Sequence, residues 1–443
     1  MQRRPLFDVA HRFLRALALI PIFLLTTITL SAHAEEATVA QIDDDPPQIA
    51  TIDLTVPADD LWQRMRNGFS MPNLNSPLVA DRQAYYLNRP AMLNLMAERS
   101  RRYLYFIVNE LEKRGMPTEL ALLPMVESAY NPRARSPARA LGIWQFIPST
   151  GKHYGLEQNW YLDERRDIVA STNAALDYLQ YIYEMNGDWH LALASYNWGE
   201  NAVARAMAKN QARGLPTDYN SINMPLETRY YVPKLQALKN IIADPALFGI
   251  KLTPIPNRPY FGAIEKPATM DVATAAQLAE IPIDEFIALN PAYSRPIMPG
   301  SNDSPLLLPA DKVSVFQNNL QKHEDADKPL SLWHTYTLKK GDKLEQVAAN
   351  SGITVARLKQ LNGITRRTKV KPGFSVLLPS SRAADASAYQ LTRLADPPEA
   401  EGKAAPKKRS KQKTMGKGSR KPVAGRGKRV SKTSAKKTRS KKR

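Results

Sequence analysis

Apolar positions three and four residues apart dominate the chain from about residue 99 to 242. Tyr103, Leu104, Ile107, Val108 and Leu111 share one helical face, and Gly115 supplies a stop. Ala175, Leu179, Ile182 and Tyr183 mark another helix that ends before Gly187. Asp188 is placed to cap a third, with Leu191, Ala194, Ser195, Trp198 and Ala202 on one side. A short helix is expected from Asp60-Leu61-Trp62 onward, packed against the helices after it. Strand-like alternation is scarce, so residues 60–250 read as an all-helical domain.

After Pro254 the pattern changes to short apolar runs broken by proline. Ile281, Ile283, Phe286, Leu289 and Asn290 recur, at a constant offset, as Ile353, Val355, Leu358, Leu361 and Asn362. Each copy closes on an apolar run ending in proline, Leu306 to Pro309 and Val376 to Pro379. Repetition of this kind predicts small modules in series, here over 268–310 and 333–380. The second reads as β-α-α-β, with a Gly341-Asp342 turn after its first strand and a Pro372-Gly373 turn before its last. The first lacks the Gly-Asp turn and is degenerate. The expected fold class is mainly α, a helical domain followed by β-α-α-β modules and a disordered basic tail.

Composition changes this picture mainly at the ends. The formal charge of +20 suggests nucleic acid, but residues 401–443 hold 19 Lys or Arg and one acid, Glu401, leaving only +2 for the rest. The tail over 384–443 has no aromatic side chain after Tyr389 on which bases could stack. Its expected partner is an anionic envelope surface, with no nucleic acid. Arg3, Arg4, Arg12 and Arg15, the apolar run 16–30 and Ala32-His33-Ala34 form an export signal with cleavage expected after Ala34. That places the protein in the periplasm, with 35–59 as a flexible lead-in. Cysteine is absent, so neither a disulfide nor a thioether lipid anchor is available. The six histidines are scattered without HExxH spacing, and neither metal nor cofactor is expected.

Candidate chemistry centres on residues 122–151. Glu127 is the first acid there, and none follows until Glu157. An acid among apolar residues suits a general acid, because burial disfavours its charged form. A solvated glutamate at a helix end is the plainer alternative.

Glu127-Ser128, Gly142-Ile143-Trp144-Gln145, Ser195-Tyr196-Asn197 and Tyr231 fall in the order of four motifs of one enzyme family. Residues 60 to about 245 resemble the soluble-lytic-transglycosylase family, in its membrane-bound lytic murein transglycosylase D branch, with Trp144 in a position where the family has Met. Residues 334–379 and, more faintly, 268–309 resemble LysM modules, which bind N-acetylglucosamine-containing glycans. The resemblance implies a goose-lysozyme-like fold and peptidoglycan strands as substrate. It implies cleavage of the β-1,4 bond after N-acetylmuramic acid without water, the C6 hydroxyl attacking C1 to leave a 1,6-anhydro ring.

One carboxyl can suffice for that reaction, Glu127 acting as acid and then base. A second acid could still arrive by folding from Asp163, Glu164, Asp167 or Glu200. The resemblance implies substrate contacts for Ser128, Gln145, Tyr196, Asn197 and Tyr231, Ser128 orienting the carboxyl or the sugar and Gln145 bonding the sugar or Glu127. Tyr230 competes with Tyr231, and Trp144 is either groove wall or core. Gly341, Asp342, Leu344, Asn362 and Ile364 are the expected glycan-groove edges of the second module, or else turn and capping residues. A noncatalytic wall-binding scaffold is the alternative function, in which modules and tail carry the role.

Overall fold

Trp62 shows how the chain closes on itself near its described start. Asp60 caps the first helix through the Trp62 amide and also accepts from the Ile255 amide at 3.0 Å, while the indole donates to the Thr253 carbonyl at 3.0 Å. The computed structural model describes residues 59–380 except 267, 301–303 and 367. The expected leader, the lead-in to residue 58 and the basic tail lie outside the described residues. No helix among the described residues is long and apolar enough to cross a membrane.

The helical domain comprises α1 (Leu61–Asn67), α2 (Pro77–Leu87), α3 (Pro90–Ser100), α4 (Leu104–Lys113), α5 (Leu123–Ser128), α6 (Pro148–His153), α7 (Ile168–Asn186), α8 (Trp189–Trp198), α9 (Glu200–Gln211), α10 (Leu226–Arg229) and α11 (Tyr231–Ala243). The expected face of α4 is wholly buried at Leu104, Ile107, Val108 and Leu111. Asp188 caps α8 through the Leu191 amide at 2.8 Å, and Asp167 caps α7 through that of Ala170 at 2.8 Å. Both acids satisfy amides that a helix start leaves without partners. α11 is packed against α2, α5 and α8, which makes it the spine of this domain. α2 and α3 were not expected as separate helices; Pro77 and Pro90, each in the first turn, set their starts.

The first module begins with β1 (Phe261–Ile264), upstream of the boundary read from sequence, and β1 pairs antiparallel with the closing strand β4 (Leu306–Pro309). Between them lie β2 (Met270–Asp271), α12 (Val272–Leu278), α13 (Ile283–Leu289) and β3 (Ile297–Met298), and α14 (Val313–Asp325) follows. β1 was hidden because Gly262 interrupts its apolar pattern. The second module is the expected β-α-α-β: β5 (Trp333–Thr337), α15 (Leu344–Asn350), α16 (Val355–Leu361) and β6 (Ser375–Pro379), with Trp333 opposite Pro379 and Thr337 opposite Ser375.

Both modules are packed onto the helical domain. Arg102 pairs with Glu285 at 2.6 Å, and the Tyr103 hydroxyl donates to the Ala288 carbonyl at 2.8 Å. Leu289 and Leu307 of the first module join the core of the helical domain. The second module uses both faces of its two-stranded sheet. Val376 and Leu378 pack on its own helices, whereas Trp333 and Leu377 meet Ile297, Trp160 and Tyr161.

Candidate active site

α5 is only six residues long, and its ending is what exposes Glu127. Ala129 (φ 51°) and Tyr130 (φ 55°) are both left-handed, a conformation that costs about 1–2 kcal/mol in a non-glycine residue. The fully buried Tyr130 ring, stacked near Tyr103 and bonded through its hydroxyl to the Ala121 carbonyl, offsets that cost. The chain therefore turns away immediately after Ser128, and the Glu127 side chain is left on the wall of a cavity of about 470 Å³.

Gly142 brings the second motif to the same cavity. Its φ is +80°, and a Cβ there would lie 2.1 Å from the Arg165 carbonyl oxygen, so only glycine fits. Arg165, itself paired with Asp163 at 2.7 Å, donates to the Arg139 carbonyl at 2.9 Å and the Phe146 carbonyl at 3.3 Å. It thereby holds the turn at 135–141 and the start of the next helix in register.

Around the acid, the Tyr231 hydroxyl donates to Oε1 of Glu127. Tyr230 does not compete; its ring lies under the Arg82 guanidinium, 4.7 Å from centroid to charge. Gln145, Tyr196 and Asn197 all line the cavity. The Tyr196 hydroxyl donates to the Trp144 carbonyl at 2.9 Å, and Asn197 Oδ1 accepts from Thr228 at 2.8 Å. Gln145 donates through Nε2 to the Gly142 carbonyl at 2.8 Å, so its amide nitrogen faces main chain and not Glu127. Burial pushes the Glu127 carboxyl up to about 7, against the opposing pull of the Tyr231 hydrogen bond and the Lys234 charge; Glu227 adds to the rise. The plainer reading of a solvated helix-end glutamate is thereby set aside.

Two expectations need correction, those for Ser128 and Asn362, and the open choice for Trp144 is resolved. Ser128 donates to the Ile143 carbonyl at 3.0 Å and the Pro124 carbonyl at 3.2 Å, so its hydroxyl ties α5 to the Gly142–Gln145 segment and does not orient the carboxyl. Trp144 is fully buried with its indole bonded to Thr172 at 3.0 Å; it is core and not groove wall. Asn362 is 2% exposed, and its amide bonds the Leu358 and Leu377 carbonyls and the Leu377 amide. It is a buried cross-link between α16 and β6, with nothing left to offer a glycan.

The other module residues sit at turns. Gly341 (φ +99°) is exposed, and Asp342 accepts from the Lys339 amide and the Tyr336 hydroxyl, both at 2.8 Å. Leu344 and Ile364 are half-buried against the module core. Of the acids that folding could bring, Glu200 lines the cavity, its carboxylate accepting from Tyr178 at 2.9 Å and Asn201 at 3.0 Å. Asp163 is paired with Arg165, Glu164 bonds Ser304, and Asp167 caps α7. Glu227 and Lys234 also line the cavity and were missed. Lys234 was detectable as the residue one turn after Tyr231, whereas exposed Glu227 carried no signal.

Residues 104–217 match the family described as Transglycosylase SLT domain, 261–325 the lytic transglycosylase MltD LysM-like domain, and 336–379 the LysM domain. The membrane-bound lytic murein transglycosylase D of Escherichia coli K12 is 34% identical over 350 residues, covering 77% of this chain and 76% of that protein. The chain belongs to the lytic murein transglycosylase D family. The soluble lytic murein transglycosylase of E. coli K12 is 30% identical over 128 residues, 28% of this chain and 19% of that protein. The crystal structure of the 70 kDa soluble lytic transglycosylase of E. coli overlays on 34% of this chain and 26% of that one, at 26% identity and a TM-score of 0.24. The three matched segments follow the division into helical domain and two modules seen in the fold, and the matched transglycosylase segment contains Glu127, Gln145, Tyr196 and Asn197.

Proposed function

We propose that the protein is a lytic transglycosylase acting on peptidoglycan, cleaving the β-1,4 bond between N-acetylmuramic acid and N-acetylglucosamine with formation of a 1,6-anhydro ring. The observation that carries this reading is Glu127, an acid held near pH 7 on the wall of a large cavity and bonded by Tyr231. A carboxyl in that range is protonated enough to be an acid and deprotonated readily enough to act next as a base. With Tyr231 donating to Oε1, the proton to be transferred belongs on Oε2. It passes to the glycosidic oxygen as the C1–O bond breaks. The muramic C6 oxygen then bonds to C1, and its proton returns to Glu127. Gln145, Tyr196 and Asn197 supply polar groups along the sugar.

A water-using muramidase is the second reading, favoured by Glu200 and Glu227 in the same cavity. Retaining and inverting glycosidases both rely on a second carboxylate. Tyr178 and Asn201 already engage Glu200, which supports a structural role for it. Mass spectrometry of fragments released from purified sacculi separates the two readings: the anhydro product is lighter than a reducing end by one water. Glu127→Gln should release neither. Full activity in that variant would remove Glu127 from its role, and binding of sacculi by the wild type without any release would favour the scaffold reading. The modules, through the loops at Gly341-Asp342, Leu344 and Ile364, would hold glycan near the cavity. The leader would deliver the protein to the periplasm, and the basic tail would hold it at an anionic envelope surface.

A further inference from the structure

Lys234 lies one helical turn after Tyr231 on α11 and lines the cavity beside it. The residue is half-buried, yet its ammonium makes no hydrogen bond or ion pair with any described residue. Lys239, farther along the same helix, shows the usual arrangement, paired with Glu119 at 3.0 Å and bonded to the Met71 carbonyl at 2.8 Å. Three carboxyl groups share the cavity with Lys234. Glu200 is engaged by Tyr178 and Asn201, Glu127 by Tyr231, and Glu227 lies beyond ion-pairing distance of the lysine. Glu127 feels the Lys234 charge only through space, so the ammonium keeps its hydrogen-bonding capacity for an anion that a bound molecule brings.

The glycan backbone of peptidoglycan offers no such anion, because its sugars are N-acetylated and the lactyl carboxyl of muramic acid is consumed in the amide to its peptide. The remaining carboxylates are those of the peptide stems. We propose that Lys234 is a specificity-determining residue that binds a peptide-stem carboxylate while the glycan occupies the cavity. This rests on the peptidoglycan-cleaving reading above.

The test uses the full chain on two preparations of peptidoglycan, native and with its stem carboxylates blocked as methylamides by carbodiimide coupling. The wild type should lose about tenfold in kcat/KM on the blocked preparation, the scale of one charge-assisted contact. Lys234→Met removes the lysine's pull on Glu127 on either preparation, so the reading is the difference: its loss on native material should exceed its loss on blocked material by about that same tenfold. Lys234→Arg should recover most of the native rate, and Lys234→Gln provides a second neutral variant should the methionine fold poorly. Equal losses for Lys234→Met on both preparations would overturn the proposal and leave the lysine acting only on the charge of Glu127. A wild type indifferent to blocking would overturn it too. A wild type that cleaves neither preparation would bring down the parent reading, and this assignment with it.

Discussion

The Tyr231 hydroxyl donates to Oε1 of Glu127 across 104 positions of sequence, joining the first turn of α11 to the last turn of α5. The bond favours the carboxylate over the acid and so opposes the rise caused by burial. Tyr231→Phe should therefore raise the Glu127 pKa further, by about one unit. The high-pH limb of the kcat/KM profile should move upward by the same amount. Catalysis should fall about ten- to hundredfold, since the carboxylate left after proton donation loses its donor. An unmoved limb would show that the bond does not act on the titrating form.

Glu127 also links stability to pH. Its folded pKa lies near 7, above the ordinary 4.5, so the native state binds the proton more tightly than the unfolded chain. The sign is fixed by that difference: stability is fully present below pH 4.5 and declines as pH rises through 7. Glu127→Gln removes the titration while keeping the shape. It should melt higher than the wild type above pH 7, by on the order of 1–3 kcal/mol, and the difference should vanish near pH 4. Thermal melts of both proteins from pH 4 to 8 check this, and a difference independent of pH would contradict it.

Asn290 and Asn362 occupy equivalent places in the two modules. Asn290 bonds the Phe286 and Leu307 carbonyls and the Leu307 amide, as Asn362 bonds Leu358 and Leu377. Asn362→Ala would leave buried main-chain groups of β6 without partners, at about 1–3 kcal/mol each. Hydrogen exchange should report local opening of the second module, with protection in α7 and α11 unchanged. Loss of glycan binding with module protection intact would instead return Asn362 to the binding surface.

These asparagines also mark where the sequence stops being legible. Helical spacing was enough to place α4, α7 and α8, because their apolar faces are local and their caps lie beside them. The repeat was visible because each copy keeps the same apolar residues and the same asparagine. The meaning of that asparagine was not visible: an Asn before Gly363 reads as a turn residue until β6 is seen to cross it. Trp144 stayed open and Ser128 was misjudged for the same reason, since Thr172 and Ile143 reach them only in the folded chain. Glu127 stood out as a lone acid among apolar residues and Tyr231 through a family motif, whereas Lys234 and Glu227 carry neither signal.

Trp333 and Leu377 join the second module to the rest of the chain. They pack with Ile297, Trp160 and Tyr161 outside the module and with Leu361 at the end of α16, while Arg295 lies over the Trp160 ring at 4.6 Å. The module core formed by Leu338, Val347, Leu358, Val376 and Leu378 is on the other face of the sheet. Trp333→Ala removes the module's largest side chain from the contact, a loss of about 3–5 kcal/mol for a buried tryptophan. What remains is Leu377 and Leu361 against Ile297, the Tyr161–Thr335 bond and the Arg295 bond to the Asn362 carbonyl. The module should stay folded and come away from the helical domain. Proteolysis should then cut within 326–332 faster than in the wild type, releasing a fragment that keeps its hydrogen-exchange protection in β5 and β6. Faster cutting accompanied by lost protection in those strands would mean that the contact holds the module's fold as well as its position.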